Sequence, residues 1–230
     1  MIILAGSSGG LGQSLIKILS EKYQVIGTYK SSQESTLYNY DSDKLSYQKL
    51  DLTNENDILK FINNNKKILN NITVIFMTGI SNDELLINHD IDTWKNVIDT
   101  NLTSNFILTK AILPLMIKQK WGRLIHISSI RSSIGTASYS ASKSGLSGLS
   151  SVIAKEYAKF NITSNILTLG AFKVGLYESL NDRLKDEMLN AIPSKKLGDA
   201  EDICNAVDFL INSKFVNGSK IVIDGGVTSR

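Results

Sequence analysis

Tyr139 and Lys143 stand four positions apart in the segment Tyr139-Ser140-Ala141-Ser142-Lys143. On a helix, side chains with this spacing lie on one face, so the phenol and the ammonium point the same way. A nearby cation favours the phenolate, and we expect it to lower the pKa of Tyr139 toward the range useful for proton transfer. Taken alone, the segment is more typical of a surface helix with an incidental Tyr and Lys.

Two further polar positions could complete such a site. The pair Ser128-Ser129 ends an apolar run about ten residues before Tyr139. Asn101 is a polar exception on the apolar stripe of a predicted helix, where a helix–helix hydrogen bond is the alternative interpretation. Donors that converge beside an acid stabilise a developing negative charge.

A glycine-rich turn follows the first predicted strand, Ile2–Ala5. It reads Gly6-Ser7-Ser8-Gly9-Gly10-Leu11-Gly12 and opens a segment with apolar residues at helical spacing. Glycines let the backbone approach a pyrophosphate, and the helix start offers unpaired N–H groups. The turn therefore predicts a nucleotide site.

The end of the second predicted strand bears on the choice of dinucleotide. Residues 23–28 form that strand, and Tyr29-Lys30-Ser31-Ser32 follows without an acid. A carboxylate there would bind the ribose hydroxyls and repel a 2′-phosphate, so a cation with two hydroxyls favours NADP over NAD. The alternative is that Lys30 is merely solvated, which leaves the preference open.

Strands and helices alternate along the rest of the chain, which predicts one parallel sheet with helices on both faces. We expect one domain over residues 1–230, with a partly helical substrate lid at about 170–197. The remaining strands are predicted at 45–52, 72–77, 122–129, 162–169 and 221–226, and the longest helices at 91–119, bent near its end by Pro114, and 136–159.

Composition excludes several classes of function. The 230 residues are 42% hydrophobic and 20% charged, with a net charge of +3 and no basic block, which argues against nucleic-acid binding. No apolar run reaches the ~18 residues of a membrane span. We expect a cytoplasmic protein. Cys204 has no partner for a disulfide, and His89 and His126 lack ligand spacing, so no metal is predicted.

These motifs together resemble the short-chain dehydrogenase/reductases, from about Ile2 to Gly226. The chain is most similar to 3-oxoacyl-(acyl-carrier-protein) reductases and related bacterial carbonyl reductases. The resemblance implies a Rossmann-like, doubly wound α/β fold with a seven-stranded parallel sheet. It rests on Gly6-x-x-x-Gly10-x-Gly12, Asp51, Asn101, Ser129, Tyr139-x-x-x-Lys143, Gly170, Asp224-Gly225-Gly226 and the segment from Ile192 to Ile203.

The resemblance also implies roles for the polar residues. Tyr139 would donate a proton to a carbonyl oxygen, and Lys143 would lower its pKa and hold the nicotinamide ribose. Ser129, rather than Ser128, would bind the substrate oxygen, and Asn101 would position a water in a proton relay. Asp51 would contact the adenine. The implied dinucleotide-binding residues are Gly6, Ser8, Gly10, Leu11, Gly12, Lys30, Ser31, Asp51, Leu52, Gly79, Tyr139, Lys143 and Gly170.

The chain departs from the family pattern at four places. Thr78 stands in a Phe-Met-Thr-Gly sequence where the family usually has Asn-Asn-Ala-Gly. Leu169 replaces a proline, and Val174 replaces a threonine that contacts the nicotinamide amide. The loop between Ser129 and Tyr139 is about three residues shorter than in many such reductases, which bears on the substrate class.

The sequence thus predicts an NADP(H)-dependent oxidoreductase that reduces a ketone, of 3-oxoacyl type or another small carbonyl, with NAD(H) as the second choice of cofactor. The alternatives are a nucleotide-sensing protein without catalysis and a reductase of a polar or sugar-derived ketone in a surface-polysaccharide pathway.

A carrier-bound substrate would need basic residues beside the site. The candidates are Lys118, Lys120, Arg123 and Arg131, although a solvated face is the more ordinary explanation for them. We expect a homo-oligomer, a tetramer or dimer, built on the two long helices.

Overall fold

The computed structural model describes residues 1–31, 37, 43–174, 177 and 181–229. Seven strands form one sheet in the order β3-β2-β1-β4-β5-β6-β7, and every neighbouring pair is parallel. The predicted fold class is confirmed. The strands are β1 (Ile2–Ala5), β2 (Val25–Tyr29), β3 (Leu45–Lys49), β4 (Thr73–Phe76), β5 (Gly122–Ser129), β6 (Ile162–Leu169) and β7 (Lys220–Ile223).

Helices lie between most of these strands in the chain, as the crossovers between parallel strands require. They are α1 (Gly10–Lys22), α2 (Glu55–Asn65), α3 (Ile91–Ile98), α4 (Ser104–Gln119), α5 (Ala137–Tyr157), α6 (Asp182–Ala191) and α7 (Ala200–Asn212). No helix within the described ranges has the length and apolar character needed to cross a bilayer.

Two apolar cores cover the two faces of the sheet. Successive strand residues point to opposite faces, so Ile3 packs into one core and Leu4 into the other. The first core includes residues of α2, α4 and α5, and the second includes residues of α1 and α7. Helices therefore lie on both faces, and the carboxyl ends of all the strands share one edge.

The long helix predicted at 91–119 is interrupted. A π turn at Asp99–Thr103 separates α3 from α4, and the turn contains Asn101. Such single π turns often occur at functional sites, because they redirect one side chain without ending the helix. Pro114 lies inside α4, which continues to Gln119.

Several strand ends differ from the prediction. The second strand runs from Val25 to Tyr29, and the third ends at Lys49 rather than residue 52. The seventh ends at Ile223, because the Asp224 carboxylate accepts hydrogen bonds from the backbone N–H groups of Gly226 and Thr228 and closes a turn.

The segment predicted as a lid is partly helical, since α6 occupies residues 182–191. Its base is tied to the start of the next helix by a β-bridge between Phe172 and Gly198. Leu176 and Leu180, expected on this segment, lie outside the described residues, as does Ser32 near the proposed 2′-phosphate site.

Candidate active site

Tyr139 and Lys143 lie on the first turns of α5 and face the carboxyl edge of the sheet. The Lys143 ammonium is 5.8 Å from the centre of the Tyr139 ring, so the predicted shared face is confirmed. The Lys143 side chain is buried, whereas Tyr139 is half-buried. A buried lysine is unusual and points to a specific role.

Two backbone carbonyls hold the Lys143 ammonium. Nζ donates to the Thr78 carbonyl at 3.1 Å and to the Ile127 carbonyl at 2.9 Å. Burial lowers the pKa of Lys143 from 10.5 to about 8. Gly79 belongs to this arrangement, because a Cβ atom there would lie 3.1 Å from Nζ. Gly79 thus leaves space for the ammonium, a reason for glycine that the sequence did not reveal.

Asn101 is fixed in the π turn by its side-chain amide. Its Oδ1 accepts from the Ile80 backbone N–H at 2.8 Å, and its Nδ2 donates to the Ile80 carbonyl at 2.9 Å and to Ser142 Oγ at 3.0 Å. The helix–helix hydrogen bond considered for a buried Asn is therefore present, to Ser142 on α5. The amide joins the loop after β4 to α5, and its part in a proton relay stays a prediction.

The two serines at the end of β5 have different partners. Ser128 Oγ donates to the Lys143 carbonyl at 3.1 Å and is buried, so it supports α5. Ser129 Oγ accepts from the Arg131 backbone N–H at 3.0 Å, and it lowers the pKa of Tyr139 through hydrogen bonding. Ser129 is therefore the serine beside the phenol, as the resemblance implied.

The pKa of Tyr139 differs in direction from the expectation. Burial raises it above 10.0 and outweighs the lowering by Ser129 and by the positive charge of Arg131, while Asp83 raises it further. The net direction is therefore opposite to the lowering that we expected from Lys143. The physical reason is that desolvation penalises the phenolate.

The glycine turn is anchored to the end of β2. Ser7 is buried, and its N–H and Oγ both donate to the Thr28 carbonyl, at 2.8 Å and 3.1 Å. Gly6 has a φ of +84°, which favours glycine. A Cβ atom on Gly12 would lie 2.9 Å from the Gly6 carbonyl, so α1 can start this close to the turn only with glycine.

The start of α1 leaves its N–H groups available to a ligand. Its N-cap is Gly9, which has no side chain to cap these groups, and a Cβ there would meet open space. The Ser8 carbonyl accepts from the Gln13 side chain at 3.0 Å, and Leu11 packs against the second core. An uncapped start of α1, beginning at Gly10, is suited to an anionic pyrophosphate.

Lys30 and Asp51 form an ion pair at the far end of this edge. Their charged groups are 2.9 Å apart, and Asp51 also accepts hydrogen bonds from the N–H and hydroxyl of Thr53. Burial raises the pKa of Asp51, but the bonds from Thr53 and Lys30 outweigh it and lower the pKa overall. Ser31 is exposed beside them, and Leu52 is buried.

The remaining predicted positions also lie at this edge. Gly170 follows β6, and a Cβ on it would meet Asp224 at 2.7 Å. Leu169, where the family has proline, is buried, and its carbonyl accepts from the Ile130 N–H. Thr78 keeps a tie to Lys143 through its backbone carbonyl, although its own hydroxyl is buried without a partner in the described chain.

These residues fit a dinucleotide laid along the strand ends. The Lys30–Asp51 pair, the uncapped start of α1 and the Lys143 ammonium follow one another along that edge. This matches the general rule that ligands of open parallel sheets bind outside the carboxyl ends of the strands. Among the described residues, no group of three or more His, Cys, Asp or Glu side chains is placed to hold a metal.

Sequence reasoning missed a polar group that joins two loops beside Tyr139. The Arg131 guanidinium donates to Asp83 and to Ser81 Oγ, the latter at 3.1 Å, and lies 5.8 Å from the centre of the Tyr139 ring. Asp83 and Arg131 are 48 positions apart, so no local pattern could reveal the pair.

Arg123 corrects another expectation. It was a candidate for binding a carrier and otherwise for a solvated face, yet it is 1% exposed. Its guanidinium donates to the carbonyls of Ile211, Gly122 and Asn161 and lies over the Trp121 ring. Arg123 is structural.

The predicted buried histidine has one partner. His126 is fully buried, its Nδ1 lies 3.1 Å from Asn105 Oδ1, and its ring stacks on Phe76. Burial and the charge of Lys143 lower its pKa to about 3. The Asn105 amide also donates to the Asn101 carbonyl, which extends this support to the π turn.

A family model described as short chain dehydrogenase matches residues 1–185. The chain belongs to the short-chain dehydrogenase family. Members of this family are NAD(P)-dependent oxidoreductases, which confirms the predicted enzyme class. In this short-chain dehydrogenase, Tyr139 lies beside Ser129 and Lys143, and Asn101 hydrogen-bonds Ser142 on the same helix, while the catalytic roles of these residues stay predictions.

Relatives and solved structures agree with this assignment. The 3-oxoacyl-(acyl-carrier-protein) reductase FabG of Buchnera aphidicola is 36% identical over 98% of this chain and 96% of its own length. The FabG of Haemophilus influenzae is 33% identical over the same shares. The solved structure of ElxO with NADP bound is 25% identical, with a TM-score of 0.90 over 100% of this chain and 98% of ElxO.

Proposed function

We propose that this short-chain dehydrogenase reduces a ketone to a secondary alcohol with NADPH, and that Tyr139 is the acid. The convergence of Tyr139, Ser129 and Lys143 at the carboxyl edge, beside a glycine turn that can take a pyrophosphate, is the observation that carries the proposal. The finer points, namely the phosphorylated dinucleotide, the proton donor and the substrate, go beyond the family assignment.

Each polar group has one task in this scheme. Tyr139 donates its proton to the carbonyl oxygen, and Ser129 donates a hydrogen bond to the same oxygen as it gains negative charge. The raised pKa keeps Tyr139 protonated before reaction, as an acid must be. Reduced nicotinamide, when bound, supplies the hydride.

Lys143 is suited to hold the ribose and to stabilise the Tyr139 phenolate. Two of its three N–H donors bind the Thr78 and Ile127 carbonyls, which leaves one for a ribose hydroxyl. Its charge also favours the phenolate that remains after the proton has left. Burial keeps water from competing for either contact.

Lys30 and Ser31 are the groups for a 2′-phosphate. The Asp51 carboxylate holds the Lys30 ammonium at the ribose end of the edge. The ion pair offsets the negative charge of Asp51, which would repel the phosphate if it were unpaired. The NADP bound to ElxO supports this choice.

The substrate is proposed as a 3-oxoacyl group or another small carbonyl compound, presented on a carrier or free. The FabG relatives support the carrier-bound form, and Lys118 and Lys120 at the end of α4 are exposed and remain candidates for binding the acidic carrier.

The half-exposed Phe106 and Val152 on α4 and α5 support the proposed homo-oligomer, which size-exclusion chromatography with light scattering would test.

The decisive experiment mixes the purified protein with NADPH or NADH and a panel of ketones that includes a 3-oxoacyl thioester. We expect oxidation of NADPH, followed by absorbance, and a preference for it over NADH. Dinucleotide binding by calorimetry without turnover on any ketone would instead favour a nucleotide-sensing protein. Absence of both binding and turnover would overturn the proposal.

A further inference from the structure

Two loops beside Tyr139, one after β4 and one after β5, are joined by the Arg131–Asp83 ion pair, and we call them the two walls of the substrate cleft. Asp83 lies in the loop that follows β4, and Arg131 lies in the short loop between Ser129 and Tyr139. The Arg131 guanidinium donates to both Asp83 and Ser81. A second tie runs between the same two loops, because the Glu84 N–H donates to the Gly135 carbonyl at 2.9 Å.

Arg131 also contacts both reacting side chains. Its backbone N–H donates to Ser129 Oγ at 3.0 Å, and its guanidinium carbon lies 5.8 Å from the centre of the Tyr139 ring. Its own carbonyl accepts from Ser140 Oγ at 3.3 Å, which ties the loop to the first turn of α5. One residue thus touches the serine, the phenol and the helix that carries the phenol.

An ordinary surface ion pair does not have these properties. Exposed pairs are screened by water and leave both side chains free to move. The Arg131 side chain is 25% exposed, against 51% for Asp83, and its guanidinium bonds at once to Ser81 and Asp83, which lie 50 and 48 positions away in the sequence. The pair is therefore placed to set geometry.

We propose that Arg131 and Asp83 are a positioning pair that holds Ser129 and Tyr139 in their reactive arrangement by joining the two cleft walls. In this role the pair acts through Ser129 and Tyr139 and not on the substrate itself. The inference rests on the proposed function, since it assigns Tyr139 and Ser129 to the reaction. It also explains the shortened loop between Ser129 and Tyr139, because a short loop keeps Arg131 within hydrogen-bonding distance of Asp83.

The charges around Tyr139 allow position and charge to be separated. The groups that face it are Lys143 on its own helix, Ser129 at the end of β5, Arg131 in the following loop and Asp83 across the cleft. Arg131 lowers the pKa of Tyr139 and Asp83 raises it. Removing one charge should therefore shift the pKa in one direction, and removing both should return it close to its starting value.

The experiment compares Arg131→Met, Asp83→Asn and the double variant with the unaltered protein. We expect each single change to lower kcat by roughly ten- to a hundredfold, the loss typical of a misplaced reacting group. Because both changes break the same contact, the double variant should lose no more than either single one. Dinucleotide binding should change less than twofold.

The pH dependence supplies a readout that a purely structural role would not move. As an acid, Tyr139 must be protonated, so activity falls as pH rises through its pKa. Arg131→Met should move that fall to higher pH and Asp83→Asn to lower pH. In the double variant the fall should return near its original pH while kcat stays low, because charge is balanced but position is lost.

Controls keep the outcome interpretable. Lys110→Met breaks an exposed ion pair between α4 and Glu55 of α2, which involves neither Ser129 nor Tyr139, and should leave kcat unchanged. Arg131→Lys keeps the charge without the forked donors and should recover part of kcat. Unaltered kcat in Arg131→Met and Asp83→Asn, or a double variant whose losses multiply, would overturn the positioning pair.

A readout without substrate separates this inference from the proposed function. In protein labelled with carbon-13 at the tyrosine Cζ, the Tyr139 resonance is assigned with Tyr139→Phe and titrated by NMR. The same opposite pKa shifts are expected even if no ketone is turned over. Opposite shifts without any turnover would overturn the reductase proposal alone, whereas absent shifts in an active enzyme would overturn the positioning pair alone.

Discussion

Lys143 Nζ donates a hydrogen bond to the backbone carbonyl of Thr78, at 3.1 Å, and thereby joins α5 to the end of β4. The contact brings the most buried cation of the site within reach of Tyr139. A backbone acceptor does not depend on the side chain at position 78, which explains how the chain keeps this tie while carrying Thr78 in place of the family's usual residue.

Burial of Lys143 should make stability depend on pH. In the unfolded chain a lysine keeps its proton up to about pH 10.5, whereas folded Lys143 loses it above about 8. Between these values the unfolded state binds more protons, so the free energy of unfolding rises with pH. The rise is on the order of 3 kcal/mol. Urea unfolding at several pH values from 7 to 10 should show it.

Lys143→Met should remove that pH dependence. The exposed Lys110→Met is the matched control and should keep it. Equal slopes of unfolding free energy against pH in the two variants would contradict the assignment of the buried charge.

Tyr139→Phe should abolish reduction while leaving the dinucleotide bound. Loss of a general acid costs roughly a hundredfold or more in turnover. The ring keeps its packing, so calorimetric binding of NADPH should be within about twofold of the unaltered protein, a margin of less than 1 kcal/mol. Near-normal turnover by this variant would show that another group donates the proton.

Lys30→Ala should weaken use of NADPH more than use of NADH. The Lys30 ammonium pairs with Asp51 at the ribose end of the site. Its loss leaves an unpaired carboxylate that repels a 2′-phosphate. We expect KM for NADPH to rise about tenfold, which corresponds to about 1.4 kcal/mol. Steady-state kinetics with both dinucleotides measures the ratio.

Lys60→Ala is the control for this prediction. Lys60 on α2 and Lys30 line one surface cavity, and the Lys60 side chain is 76% exposed beside Asp57. It should leave the ratio of NADPH to NADH use unchanged. If Lys60→Ala and Lys30→Ala changed that ratio equally, general electrostatic attraction would explain the preference.

Asn105→Val should destabilise the fold through His126. The change leaves the buried His126 Nδ1 without its partner, at a cost of about 1–3 kcal/mol. Replacing both residues by Val should cost less than the sum of the single changes, because neither the His126 ring nitrogen nor the Asn105 carbonyl oxygen is then left without the other. Urea unfolding of the four proteins in this cycle measures the coupling, and strict additivity would show that the pair does not interact.

Local sequence was enough for the framework of the site. Tyr139 and Lys143 share a face because a helix repeats every 3.6 residues, and the glycine turn follows a buried strand because strand, turn and helix are contiguous. The parallel sheet also followed from alternation alone. The shared helix face and the glycine turn each depend on neighbours within a few residues, whereas the sheet was inferred from the order of elements along the chain.

Tertiary structure decided the partners of those residues. Lys143 binds the carbonyls of Thr78 and Ile127, Lys30 pairs with Asp51, and Arg131 pairs with Asp83. Backbone acceptors leave no mark in a sequence, and charges far apart along the chain meet only after the strands have assembled. The direction of the Tyr139 pKa shift was decided in the same way, because burial depends on everything packed around the ring and outweighs the charges nearby.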